Sequence, residues 1–340
     1  MDESSLFISQ DRGACLSHVD TFPPLSEGEV RPYPTMSSNH TFLDPSLYTL
    51  AEDEAAFIKS QTGIYDGRRA KKPHIRYPGR GMHSGWVFIL AFRASVTAMQ
   101  IYPFSSIHQF EFAQPKISKL PCYQQFLNLG RGCKGIYADI GCCLGADPRK
   151  AVMDGYPIDQ IVASDLRPEF WELGHKFFKS TPETFPARFI PVDIFDLTGL
   201  SKTEGGPIPD ISKVQSLAEL RGNISAIHAS ALFHFFNYEE QFELGKIMAS
   251  LLSFAPGFMI FGAHVSRPEG QIYLEVALDN DDRYGIFFHS PESWKSLWDG
   301  VIFPKGTLRV DASLHEMGVK PANVTILTGK SSNETYYHLI

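Results

Sequence analysis

The chain has 340 residues, 43% hydrophobic and 20% charged, with a formal net charge of −7. That composition supports one large domain, or one domain with an appendage, and the acidic balance argues against a polyanionic partner such as nucleic acid. Five cysteines (Cys15, Cys122, Cys133, Cys142 and Cys143), with no Cys-x-x-Cys pair, give neither a disulfide framework nor a zinc site, so no metal is expected. The opening stretch MDESSLFISQDRG lacks the basic and apolar segments of a signal peptide. The most apolar window, WVFILAF at 86–92, is far shorter than the roughly 20 residues of a membrane span. The expected location is therefore the cytoplasm, and the sequons at Asn39, Asn223, Asn323 and Asn333 read as incidental.

Residues 1–50, rich in Ser, Pro and Thr, read as a loosely ordered arm. Residues 51–135 read as a helical or lid region, beginning with a helix through AEDEAAFIKSQTG that closes at Gly63. Within it, 67–98 stands out as an atypical insert, basic and then apolar, without helical period. Its cluster Arg68, Arg69, Lys71, Lys72, Arg76 and Arg80 reads as a solvated loop. From 136 to 340 the pattern alternates. Strands are predicted at IYADI (136–140), QIVAS (160–164), ARFIPV (187–192), ISAIHA (224–229) and FMIFGA (258–263). Helices are predicted between them, with Asp147 as an N-cap before Pro148, Pro168 opening the second, VQSLAEL (214–220) a short one, and 238–255 a long one. The tail adds a helix at 291–300 and β-prone pieces TLRVDA and VTILTG. Short strands joined by crossover helices imply an α/β fold with a Rossmann-like, doubly wound, mostly parallel sheet.

Ligands of such sheets bind beyond the carboxyl ends of the strands. After the first strand comes YADIGCCLGAD (137–147), where Gly141 and Gly145 allow a tight turn and a close ligand approach. The middle glycine that admits a pyrophosphate is missing, which suits a nucleoside cofactor without phosphates. After the second strand, Asp165 is placed to accept both ribose hydroxyls. After the third, Asp193 is placed to accept from an adenine amino group, with Ile194 and Phe195 covering the ring. Each of these alone also fits an ordinary helix cap. In order, at successive strand ends, they point to a nucleoside-binding edge.

The set DIGCC-x-G-x-D, SDLRPEFWELGHKFFKSTPETFP, PVDIFD and FFHSPESWKSLWDG resembles fungal class I S-adenosylmethionine-dependent methyltransferases of secondary metabolism, in particular the group that methylates polyketide- or meroterpenoid-derived acids and phenols. The resemblance covers roughly 45–66 and 100–315. It implies a small polyketide or terpenoid-type substrate, S-adenosylmethionine as cofactor, and cofactor contacts from Asp139, Gly141, Cys142 and Gly145, from Asp165 and Leu166, from Asp193 and Ile194, and from Ala229 and Ser230. It leaves room for a homodimer. One departure is IYPFSSI (101–107), where Ser105 stands in place of a second proline. The other is 67–98, foreign to the family pattern, either a genuine insertion or an unspliced segment.

Methyl transfer to oxygen is mainly a matter of alignment, and a phenol or enol acceptor also gains from a base. His228, His234 and His264, at or just beyond strand ends, are the candidate bases, and the aromatic FHFF (233–236) with Tyr238 is a candidate pocket wall. No histidine has an orienting carboxylate near it in sequence, Glu239 and Glu240 being the nearest, so the reading favours a carboxylate acceptor. The paired Cys142 and Cys143 read as small buried hydrophobes. An NAD(P)-dependent oxidoreductase is the alternative enzyme, opposed by the missing glycine and by the absence of a Tyr-x-x-x-Lys pair. A catalytically silent methyltransferase-like binding protein would follow if 67–98 disabled the pocket.

Overall fold

Five short runs of apolar residues, each closed by a polar residue or a turn, form one parallel sheet. The computed structural model describes residues 43, 47, 48, 50–64, 85–133, 135–200, 206–253, 257–269, 271–277, 283–316 and 337–339. The sheet strands are β1 (Ile136–Ile140), β2 (Ile161–Asp165), β3 (Arg188–Pro191), β4 (Ile224–His228) and β5 (Met259–Phe261), in the order β3-β2-β1-β4-β5. Every neighbouring pair is parallel. β1 is fully buried along its length, as a central strand covered on both faces must be. The order reverses between β1 and β4, so the switch-point crevice opens at the ends of these two strands.

The chain outside this sheet adds a three-stranded antiparallel set, β6 (His264–Ser266), β9 (Leu314–Glu316) and β10 (Tyr337–Leu339), and a hairpin of β7 (Gln271–Ala277) with β8 (Arg283–Phe288). The piece at 307–312 takes no regular structure, and 324–329 lies outside the described residues. The helices are α1 (Glu52–Thr62), α2 (Gly85–Ile101), α3 (Ser105–His108), α4 (Tyr123–Cys133), α5 (Ala146–Met153), α6 (Pro168–Phe178), α7 (Tyr238–Leu251) and α8 (Pro291–Trp298). α1 ends on Gly63 in the left-handed conformation, whose N–H returns to Lys59 O. α6 opens on Pro168, where the missing N–H costs nothing. The stretch 214–220 forms only a 3-10 turn, Leu217–Leu220, closed by a Ser216/Glu219 capping box.

Two expectations are corrected. Asp147 is not the N-cap of α5, because that helix starts earlier and Gly145 takes the cap position with φ 75°. The Asp147 carboxylate instead accepts the backbone N–H of Lys116 at 2.6 Å and of Ile117 at 2.8 Å, tying the segment before α4 to α5. The second correction concerns 67–98. Residues 67–84 lie outside the described set, but 85–101 is a helix. Its buried positions Val87, Ala91, Ala94 and Ala98 recur at helical spacing. They share one core with Phe57 and Ile58 of α1 and with Phe170, Leu173, Phe177 and Phe178 of α6. A helix apolar on nearly all sides hides its own period in the sequence. The apolar half of the segment is thus core rather than a peripheral insertion.

Candidate active site

The site grows from the turn after β1. Gly141 and Cys142 both donate their N–H to Ser164 O, at 2.8 and 3.0 Å, and Gly145 donates to Cys142 O at 2.8 Å. The loop needs positive φ at Gly141 (75°), Cys143 (51°) and Gly145 (75°). α6 lies so close beneath it that a Cβ on Gly174 would stand 2.1 Å from Leu144 O. Arg149 supports the loop from below with Nη1 on Gly145 O at 3.3 Å and Nη2 on Ser180 Oγ at 2.8 Å, its guanidinium over the rings of Phe185 and Phe178. Burial of the two cysteines pushes both thiols above their ordinary range, so neither is a ready nucleophile.

Asp165, closing β2, clasps the same loop. Its carboxylate accepts Cys143 N–H at 2.8 Å and Arg167 N–H at 3.0 Å. Burial raises its carboxyl to about 6, the two amide donors holding it lower than burial alone would. Leu166 follows, half-buried. Asp193 sits just past β3 and caps the turn Ile194–Leu197 by accepting Phe195 N–H at 3.0 Å, with Ile194 buried beside it. The strand ends therefore bring the predicted set to one edge, and Asp165 and Asp193 serve as local caps there as well.

The end of β4 holds a network that sequence reasoning did not foresee. Asp139 and His228 are register partners on β1 and β4, and Asp139 Oδ1 lies 2.7 Å from His228 Nδ1. His228 Nε2 lies 2.8 Å from Ser230 Oγ, which in turn accepts Ala263 N–H at 3.1 Å. Both ring nitrogens of His228 are thus engaged and the ring is 1% exposed, which makes it a poor free base. Contrary to the expectation from sequence spacing, one candidate histidine has an orienting carboxylate: His228 has Asp139. Glu240, offered as a nearest carboxylate, instead accepts Asn237 N–H in the capping box of α7. Burial raises the Asp139 carboxyl. Burial opposes charge on His228 too, but the charge and hydrogen bond of Asp139 outweigh it and raise the imidazole, so the pair shares one proton. The second oxygen, Asp139 Oδ2, is buried without a protein partner. Asp147 lies close, one ligand atom of each of Asp139, Asp147 and His228 falling within 4.8 Å of the others.

His234 and His264 stand apart from this pair, around a narrow gap formed with Phe233, Gln241, His289 and Trp294 that has room for about one water. The rings of His234 and His264 are 6.4 Å apart, and Trp294 packs on His264 at 5.4 Å and on His289 at 5.3 Å. Of the three candidate bases, the structure brings two together and adds a third histidine, His289. It lies inside the FFHSPESW stretch, so the signal was present as a residue but not as a place.

No protein-family model matches the chain. Methyltransferase adrK of Penicillium rubens is 30% identical over 212 residues, covering 62% of this chain and 69% of adrK. The chain belongs to this family of fungal secondary-metabolite methyltransferases. Within the family, O-methyltransferase phiE of a fungal species is 27% identical over 62% of this chain and 63% of its own length. Methyltransferase ausD of Penicillium brasilianum is 27% identical over 60% and 66%. The chain thus matches somewhat under two thirds of phiE and of ausD. Among solved structures, the DhpI complex with S-adenosylhomocysteine is 14% identical, covering 74% of this chain and 93% of DhpI at a TM-score of 0.35. The N-terminal domain of EvdMO1 with the same ligand is 13% identical, with 73% and 94% covered at a TM-score of 0.41. Family membership and the parallel sheet agree with the Rossmann-like fold expected from sequence. No helix among the described residues is long and apolar enough to cross a membrane.

Proposed function

We propose that this chain is an S-adenosylmethionine-dependent O-methyltransferase acting on a small secondary metabolite of polyketide or terpenoid type. The observation that carries the proposal is the ordered edge: the Gly141–Gly145 loop, Asp165, Asp193 and Ser230 stand at the ends of four adjacent strands beside the switch point. The cradle fits a nucleoside with an amino-acid tail. The loop presents glycines in the left-handed conformation, and the buried Asp139 Oδ2 is an acceptor without a protein partner, suited to an ammonium group. In this reading Asp139, Gly141, Cys142 and Gly145 hold the methionine end. Asp165 and Leu166 hold the ribose, Asp193 and Ile194 the adenine, and Ala229 and Ser230 close the far side.

When bound, the cofactor supplies an activated methyl on a sulfonium. The protein contributes alignment of the acceptor oxygen and exclusion of water. Free thiols at Cys122, Cys142 and Cys143 support a cytoplasmic setting, and the net charge of −7 supports a small molecule over nucleic acid as partner.

Calorimetry tests the cofactor reading directly: S-adenosylhomocysteine is expected to bind in the micromolar range, and folded protein giving no heat at millimolar ligand would end it. Asp165→Ala is expected to weaken that binding by about 1–3 kcal/mol, the cost of buried hydrogen bonds left unmade. Asp165 accepts ribose hydroxyls best as a carboxylate, and its folded value is about 6. Affinity should therefore fall as pH drops below about 6 in the wild type, while Asp165→Ala should show a flatter profile. Parallel pH profiles in the two proteins would remove Asp165 from the ribose.

A further inference from the structure

We propose that the Asp139–His228 pair gives up a proton when the amino-acid tail of S-adenosylmethionine binds, so that cofactor capture is coupled to proton release. The inference rests on the methyltransferase reading and concerns the regulation of the same site.

The pair is built to hold a proton out of water. Asp139 and His228 are 2% and 1% exposed and face each other across adjacent strands, with Asp139 Oδ1 2.7 Å from His228 Nδ1. The far nitrogen, His228 Nε2, lies 2.8 Å from Ser230 Oγ. A hydroxyl both donates and accepts, so Ser230 satisfies Nε2 with or without its hydrogen. The Ala263 N–H, 3.1 Å from Ser230 Oγ, is accepted in either case. The ring can therefore gain or lose that hydrogen with every contact of the pair kept. On the other side of the carboxylate, Oδ2 is buried with no protein partner. A buried acceptor of this kind calls for a donor, and an ammonium supplies one together with a full positive charge.

That charge sets where the proton goes. The groups facing the pair are Asp147 from α5, Asp165 from the end of β2, Tyr137 from β1, Cys142 and Cys143 from the loop after β1, and Lys116 from the segment before α4. Phe261 of β5 covers the imidazole at 5.3 Å and brings no charge. Burial keeps the tyrosine and both cysteines neutral at pH 7. Lys116 is the one cation of this set, and it is paired with Glu111 at 2.7 Å. Before the tail binds, burial opposes charge on His228, but the charge and hydrogen bond of Asp139 prevail and raise the imidazole above 6.5. An ammonium on Oδ2 offsets the carboxylate charge that holds the imidazolium, and it repels the imidazolium as well. Both effects lower the imidazole, and its proton passes to solvent. Asp139 is left as a carboxylate facing the ammonium, with His228 Nδ1–H still donated to Oδ1.

Calorimetric titration in phosphate and in Tris at pH 7 counts the protons, because the two buffers differ in ionisation enthalpy. S-adenosylhomocysteine, which carries the tail, is compared with 5′-methylthioadenosine, which keeps the nucleoside and lacks the tail. The wild type is expected to release roughly half a proton or more with the first ligand and close to none with the second. Both ligands present a ribose to Asp165, so any proton exchanged there cancels in the difference. An α-amino group titrates at about 8 and is already mostly charged at pH 7, so the ligand itself takes up little. Asp139→Asn should abolish the difference, since the imidazole then has no carboxylate to hold its proton. If that variant fails to fold, the carbon-13 shift of the wild-type His228 ring decides. It should move to the neutral form with S-adenosylhomocysteine and stay in place with 5′-methylthioadenosine. Equal proton counts for the two ligands overturn the inference, as does a difference that survives in Asp139→Asn. S-adenosylhomocysteine binding without proton release sinks this inference alone, whereas no heat from either ligand sinks the methyltransferase reading with it.

Discussion

Excision of residues 67–98 is expected to abolish cooperative unfolding of the chain. The loop-closure argument makes peripheral insertions cheap to remove, because the cost of closing a loop varies slowly with its length. That argument applies to loops, and half of this segment is helix. Removing it strips out Val87, Ala91, Ala94 and most of α2, and uncovers the faces of α1 and α6 that pack against it. Phe57, Ile58, Phe110, Phe177 and Phe178, all at or below 3% exposure, belong to the same cluster. Burial of one large apolar side chain is worth about 1.5–3 kcal/mol. Uncovering even three or four of them removes most of the roughly 5–15 kcal/mol that holds a typical domain together. Urea titration followed by circular dichroism reads the result. A broad, non-cooperative curve is expected, and a sharp transition at the wild-type midpoint would return the segment to the periphery. The smaller change Val87→Asp tests the same point without shortening the chain and should lower the midpoint substantially.

What the sequence made legible follows from range. All five strands of the sheet are apolar runs of three to five residues ending in a polar residue or a turn, and Gly63 and Pro168 mark helix ends through local chemistry. The strand-end residues Gly141, Gly145, Asp165 and Asp193 were legible for the same reason, since the carboxyl end of a strand is a position along the chain. α2 was illegible because residues 86–92 are apolar on every side, which erases the contrast that periodicity needs. Asp147 carries a cap-forming side chain in a cap-like setting, and only the approach of Lys116 and Ile117 shows where it is used. His228 and Asp139 are 89 residues apart. Their contact depends on β4 pairing with β1, a fact of strand order that no local pattern carries. His289 needed the same kind of knowledge, because its wall comes from α8 while His234 comes from the turn after β4 and His264 from β6.

The Asp139–His228 pair should carry one of the largest single-residue effects in the protein. His228→Ala is expected to cost about 3–5 kcal/mol in the cofactor-free protein, because it leaves a buried carboxylate without its partner. The pair is worth less than that number, since the loss includes the penalty on the group left behind. Asp139→Ala/His228→Ala should therefore cost less than the sum of the two single changes, and a double-mutant cycle measures the difference. Proton linkage gives an independent signature. In the wild type the His228 imidazole is raised above its ordinary 6.5. Its contribution is then fully present below 6.5 and is lost as pH rises through the higher folded value. In His228→Ala, Asp139 stands alone with its carboxyl raised by burial above its ordinary 3.8. A raised carboxyl loses stability as pH rises through its folded value, so the variant should be weakest near neutrality and recover partly as pH falls towards about 4. Urea midpoints of wild type and variant between pH 4 and 9 read both slopes at once. A deficit that stays constant across that range would mean that His228 and Asp139 are joined by packing alone, with no shared proton.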